Sequence, residues 1–158
     1  MIQRKQTLFL LIAVVALILM PFFPIAKYYG DFSFVLNLFS FKDLTGESPF
    51  SSVYNIPLIV VWGLTLLLSI ITILLYKKRN LQLRLTSIAI GLIMVFLLLV
   101  FIYYTPMIER EFKAFDISTV YSDCISIYLP IIVFIFLILA YRFINKDIKM
   151  IKSLDRIR

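Results

Sequence analysis

The chain contains no histidine and a single cysteine, Cys124, in 158 residues. Histidine or multi-cysteine metal centres, cysteine–histidine catalysis and an intramolecular disulfide are therefore excluded within it. Cys124, at the start of an apolar run, reads as a small apolar filler near an interface and not as a reactive thiol. Charge is sparse too: 16% of residues are charged, and no Asp, Glu, Lys or Arg falls within Leu8–Ala26, Ile56–Tyr76, Thr86–Ile108 or Cys124–Tyr141. Ionisable groups inside a membrane are the usual mark of proton relays and ion pathways, so coupled transport has no sequence support. Acidic residues are missing from "YKKRNLQLRL" (76–85), which carries four basic ones. The first apolar run also lacks the small-x-small pattern of a cleaved leader, so it is expected to remain as a helix. Pro21 and Pro24 are expected to distort or end it at its far interface.

What is present is apolar surface. The chain is 62% hydrophobic with a mean hydropathy of +1.00, against roughly 45–50% apolar residues in soluble domains. Each of the four uncharged runs approaches or exceeds the ~18–20 residues that cross a hydrocarbon core of about 30 Å. The expected fold is an all-α membrane protein, a single four-helix bundle with helices near 7–26, 55–76, 86–107 and 124–144. Connections at 27–54 and 108–123 would lie outside, with a cytoplasmic hairpin at 77–85 and a cytoplasmic amphipathic tail at 145–158.

The orientation follows from the sixteen basic residues. Twelve lie in the tails and the second connection, and four in the first and third connections. Positive-inside bias then places both termini and "YKKRNLQLRL" in the cytoplasm. Lys77, Lys78, Arg79 and Arg84 would anchor at anionic headgroups, each gaining about 1 kcal/mol. The net charge of +7 and pI near 9.6 raise nucleic-acid binding as a rival. No stacking aromatics accompany the basic hairpin, so no nucleic-acid partner is expected.

Helix faces follow from spacing. Trp62, Thr65, Ser69, Thr72 and Tyr76 share one face of a 3.6-residue helix. Ser87 and Gly91 are four apart on the third helix, and Ala13 and Ala16 three apart on the first. Small and hydroxylated residues at such intervals mark a packing seam where helices approach and hydrogen-bond. Pro130 is expected to kink the fourth helix. Tyr28, Tyr29, Tyr103, Tyr104, Tyr121 and Tyr128 fall at the outer boundaries and Tyr76 and Tyr141 at the inner ones, as in interfacial aromatic belts. In the first outer connection Phe32, Phe34, Leu36 and Leu38 alternate and "DLTGESP" supplies turn residues, which predicts a short antiparallel β-ribbon lying on the bundle or meeting a partner. Glu109, Glu111, Asp116 and Asp123 in the third connection would need convergent geometry to act as acid–base or cation ligands.

Three stretches, "MIQRKQT", "LYKKRNLQLRL" and "LAYRFINKDIKMIKSLDRIR", resemble the small four-helix membrane proteins of Bacteroidota catalogued as domain of unknown function 4293. The matching positions are Gln3 and Arg4; Tyr76, Lys77, Arg79, Leu81, Gln82 and Arg84; and Ala140, Arg142, Ile144, Lys146, Asp147, Ser153, Asp155, Arg156 and Arg158. Lys5, where the family pattern expects an apolar residue, and Tyr141-Arg142-Phe143 depart from it. The resemblance implies a multi-pass protein of the bacterial inner membrane and brings no activity with it.

The tail has its own physical reading. Ile144, Ile148, Ile151 and Leu154 would share one side and Lys146, Lys149, Lys152 and Arg156 the rest, as on an interfacial helix. Asp147 and Asp155 would pair with neighbouring basic residues.

The expected function is that of a non-enzymatic accessory or scaffolding protein, without cofactor, metal or catalytic residues. Its partners would be anionic lipids at the cytoplasmic face and another membrane protein. Arg79, Gln82, Arg84, Asp155 and Arg156 are the candidate contacts, and Trp62, Thr65, Ser69, Thr72, Ser87 and Gly91 the packing seam. The alternative is a small transporter or lipid-handling protein with a groove between helices two and three.

Overall fold

A computed structural model describes residues 3–30, 34–43, 55–76, 78–114, 119–123 and 128–155. Helix α1 (Gln3–Leu19) leads into a 3₁₀ turn (Met20–Phe22). Pro21 opens that turn, and Phe23, which precedes Pro24, is extended at φ −118°, ψ 140°. The residue before a proline is pushed out of the helical region by the proline ring, which is why the helix stops there. Strands β1 (Ala26–Gly30), β2 (Phe34–Leu36) and β3 (Phe41–Asp43) follow, then α2 (Ile56–Leu74) and α3 (Arg79–Leu98). A π-helical stretch (Leu99–Tyr104) carries α3 into α4 (Thr105–Ala114). Strand β4 (Thr119–Asp123) and the 28-residue α5 (Tyr128–Asp155) complete the chain.

Helix α1 packs on α5 and α2, and α3 on α2 and α5, so the four long helices form a ring in the order α1-α2-α3-α5. The Trp62 indole N–H donates to the Leu17 carbonyl (2.9 Å), joining the start of α2 to the end of α1. Gln6 meets α5 at the opposite end, so neighbouring helices run antiparallel.

Each helix buries one stripe: Gln6, Leu10, Ala13 and Leu17 on α1, continued by Met20 in the 3₁₀ turn; Leu58, Thr65, Ser69 and Thr72 on α2; Gln82, Thr86, Ala89, Ile93 and Phe96 on α3; Val133, Leu137, Ala140, Ile144 and Asp147 on α5. Steps of four and three keep a side chain near one line of the helix, the spacing of left-handed bundles. Beyond Phe96 the buried positions step by four, through Val100, Tyr104 and Ile108. The wider turn of a π-helix returns residues four to five apart to the same face, so the stripe stays inward. The outside is apolar as well, with Leu8, Leu11, Val15, Ile18, Leu64, Leu67, Ile88, Leu98 and Ile102 all exposed.

Three helical stretches are long and apolar enough to cross a membrane: Ile56–Leu74, Arg79–Arg110 and Tyr128–Ile151. The apolar part of the first helix, Gln6–Phe22, is shorter. The first helix is shorter than the expected 7–26, because Pro21 and Pro24 end it early.

The expected β-ribbon is part of a four-stranded antiparallel sheet, in the order β3-β2-β1-β4. Ala26 to Tyr28 pair with Leu36 to Phe34, and Ala26 to Gly30 with Asp123 to Thr119. Its fourth strand comes from the third connection, which local periodicity could not assign because its partner lies about ninety residues away. Of the alternating set, Phe34 and Leu36 are on β2, Leu38 is buried in the turn after it, and Phe32 lies outside the described residues. So do residues 44–50, which hold most of "DLTGESP".

Ala26, Tyr28, Leu36, Leu38 and Phe41 join the helix residues in one core. The ring of Phe39 meets Trp62 edge-on at 5.7 Å. Asn55, buried at the start of α2, uses its side-chain N–H on the Asn37 carbonyl (3.3 Å) and makes no helix cap of its own. The sheet therefore closes one end of the bundle. Tyr28 and Tyr104, expected in an interfacial belt, are buried within it, whereas Tyr76, Tyr103 and Tyr128 are exposed.

Two further boundaries differ from expectation. Helix α3 begins at Arg79 and not near 86, so most of "YKKRNLQLRL" is its first two turns. Arg, Leu and Gln are good helix formers, and charge marks where an apolar run ends, not where a helix ends. Pro130 lies in the first turn of α5, where no intrahelical bond is lost, and causes no mid-helix break.

Candidate functional site

The end of the bundle away from the sheet is polar at its centre. Gln6 is the first buried residue of its stripe, Thr72 the last on α2, Gln82 the first on α3 and Asp147 the last on α5. Antiparallel packing brings these four helix ends together, so every helix contributes one polar side chain.

The Gln6 side-chain amide donates to Asp147 Oδ2 and to the Phe143 carbonyl (3.3 Å), tying α1 to α5. Asp147 is 4% exposed, and its other oxygen, Oδ1, has no hydrogen-bond partner among the described residues. The Gln82 amide donates to the Thr72 carbonyl (3.3 Å), tying α3 to α2. That carbonyl belongs to the last turn of α2, where helix carbonyls run out of intrahelical donors.

A groove of about 430 Å³ opens beside this layer. Gln6, Thr7, Leu8 and Leu11 of α1 form one wall, with Tyr76 of the turn after α2 and Arg79 and Gln82 of the first turn of α3 on the other. Arg79 is half-buried there, while Lys78, Asn80 and Arg84 are exposed around it. The tight turn supplies this geometry: Leu75 N–H donates to the Ile71 carbonyl and Lys78 N–H to that of Leu75, both at 3.0 Å.

Of the expected contact residues, Arg79 and Gln82 thus come together at the groove. Arg84 stands outside it. Asp155 is the last residue of α5, its side chain undescribed, and Arg156 lies outside the described residues. Gln82, expected as a surface contact, is buried because it is in phase with Thr86 and Ala89. Asp147, expected to pair with basic neighbours, is held by Gln6 for the same reason: it falls on the line of Val133, Leu137, Ala140 and Ile144. Lys146 and Lys149 are exposed on either side of it.

The packing seam is half corrected. Thr65, Ser69 and Thr72 are fully buried, and Trp62 reaches α1. Their hydroxyls, however, donate within α2, to the carbonyls of Val61 (2.7 Å), Thr65 (2.8 Å) and Leu68 (2.6 Å), so they satisfy themselves and do not bridge helices. Ser87 and Gly91 are exposed, and a Cβ placed on Gly91 would meet nothing within 4 Å. They sit one and two residues past the buried positions Thr86 and Ala89, which turns them off the buried line.

In the third connection Glu109 is exposed on α4, Asp123 is on β4 opposite Ala26, and Asp116 lies outside the described residues. Among the described residues no group of three or more His, Cys, Asp or Glu side chains could hold a metal ion.

Residues 2–157 match a family described as a domain of unknown function, number 4293. The chain belongs to that family. Its matched region takes in both ends of the bundle, with Gln6, Arg79, Gln82 and Asp147 inside it. No curated protein and no solved structure matches the chain.

Sequence reasoning missed Gln6, although its spacing to Leu10, Ala13 and Leu17 is the signal that would have found it.

Proposed function

We propose that this member of the family is a non-enzymatic integral protein of the bacterial inner membrane, an accessory or scaffolding subunit that works through its basic end. All four long helices cross the bilayer in this reading. The apolar part of α1 with its 3₁₀ turn, Gln6–Phe22, is about 27 Å long at 1.5 and 2.0 Å per residue, within a few ångströms of a core of about 30 Å. The twelve-to-four distribution of basic residues puts the polar layer and both termini in the cytoplasm and the sheet outside.

One observation supports this reading above the others: half-buried Arg79 lines a groove together with Gln6 and Gln82, the two side chains that hydrogen-bond across helices. A topology anchor needs charge alone and has no use for an arginine half-buried in a groove. Arg offers a planar two-point contact to carboxylate or phosphate that Lys cannot reproduce. The lipid-handling alternative gains from the same groove, although it lies between α1 and the α2–α3 turn and not between α2 and α3.

The test is an Arg79→Lys, Arg84→Lys, Arg156→Lys variant, which keeps the charge and should insert normally. Affinity purification in mild detergent should show the loss of a co-purifying membrane protein that wild type retains and that retrieves this chain reciprocally. Full retention, with complementation of a deletion strain that has a measurable defect, would reduce the basic end to a topology signal.

A further inference from the structure

We infer that the groove beside Gln6 is a site for one anionic glycerophospholipid, its phosphate on Arg79 and an acyl chain along α1. This rests on the proposed orientation, in which the groove opens at the level of the inner headgroups. The two walls differ in character. Arg79 and the tip of Gln82 make one side polar, while Leu8 and Leu11 on the other are 54% and 53% exposed. At 430 Å³ the groove lies in the range of small-molecule sites.

The apolar wall does not stop at the groove. Leu8, Leu11, Val15 and Ile18 are all exposed and follow one line of α1 at intervals of three, four and three residues, about 15 Å along the helix axis. A soluble anion has no use for that track, and a lipid tail does. The positive side also has direction: exposed Lys78 stands next to half-buried Arg79, with no acidic residue between Tyr76 and Leu85. The guanidinium fork suits a phosphate diester.

The Gln6 amide nitrogen is committed to Asp147 and Phe143. Gln6 lines the groove, and its carbonyl oxygen accepts there from a headgroup hydroxyl, which glycerol provides and choline does not. The site is therefore expected to prefer a glycerol headgroup with net negative charge over a zwitterionic choline one.

Delipidated protein in detergent, titrated with dioleoylphosphatidylglycerol or dioleoylphosphatidylcholine, tests this by native mass spectrometry and thermal unfolding. Wild type should retain one phosphatidylglycerol and unfold at higher temperature in its presence. Arg79→Gln should weaken retention at least tenfold and Arg79→Lys by a smaller factor, while Arg84→Gln should change it less than twofold. Inorganic phosphate at millimolar concentration should not displace the lipid. Equal losses for Arg79→Gln and Arg84→Gln, equal binding of the choline lipid, displacement by phosphate, or no retention by wild type would each overturn the site. Circular dichroism of the lipid-free variants confirms that they are folded. The accessory reading fails separately, on the protein that the Arg→Lys variant retains or loses.

Discussion

The two ends of the bundle solve the same problem by different means. At the sheet end, Leu17, Met20, Ala26, Tyr28, Leu36, Leu38 and Leu58 form a continuous apolar core roofed by four strands. At the basic end the stripes finish in Gln6, Thr72, Gln82 and Asp147, and the helices are tied by hydrogen bonds from the two glutamine amides instead. Apolar packing is tolerant of what lies beyond it, so the sheet end has a structural task. A buried polar layer is costly unless satisfied, and it stands beside the groove that holds Arg79.

The sharpest way to break the comparison is to remove core volume from the sheet end. Leu38→Ala, at a fully buried position, should destabilise the protein by about 2–5 kcal/mol. Unfolding in detergent should show it, with lipid retention at the opposite end unchanged once the variant is folded. At the basic end, Gln6→Leu deprives the buried Asp147 carboxylate of its donor, and leaving such a group unpaired costs about 1–3 kcal/mol or more. The same unfolding assay should show that loss; a variant as stable as wild type would mean that the layer is not coupled.

A paired substitution sharpens the helix faces. Ser69→Leu overpacks a fully buried position and should cost about 1–3 kcal/mol. Ser87→Leu, the same change on an exposed face, should stay within about 0.5 kcal/mol. Similar effects at the two serines would erase the distinction drawn between α2 and α3.

Much of this was legible in the chain, for identifiable reasons. Uncharged runs gave the long helices, because backbone bonds are satisfied within each one. The hydroxyl face of α2 was found by periodicity and is buried. The face of α3 was misread because Ser87 and Gly91 were chosen for their small size, when following Gln82, Thr86, Ala89 and Ile93 would have located the stripe. Asp147 reads from the sequence as a surface partner of neighbouring basic residues, and Gln6 lies outside the uncharged run that defines the first helix, so neither is expected in the buried layer. Strand β4 was not legible, since its pairing with β1 depends on two connections meeting over the bundle.

The proposed roles of the basic end require the sheet and that end to lie on opposite sides of one membrane. Single cysteines at Ser40, in the turn between β2 and β3, and at Asn80, exposed at the start of α3, test this in a Cys124→Ser background with a membrane-impermeant maleimide. The expected pattern is labelling of Ser40→Cys in intact spheroplasts and of Asn80→Cys only after permeabilisation. Labelling of Asn80→Cys from outside, or of both positions from the same side, would contradict it.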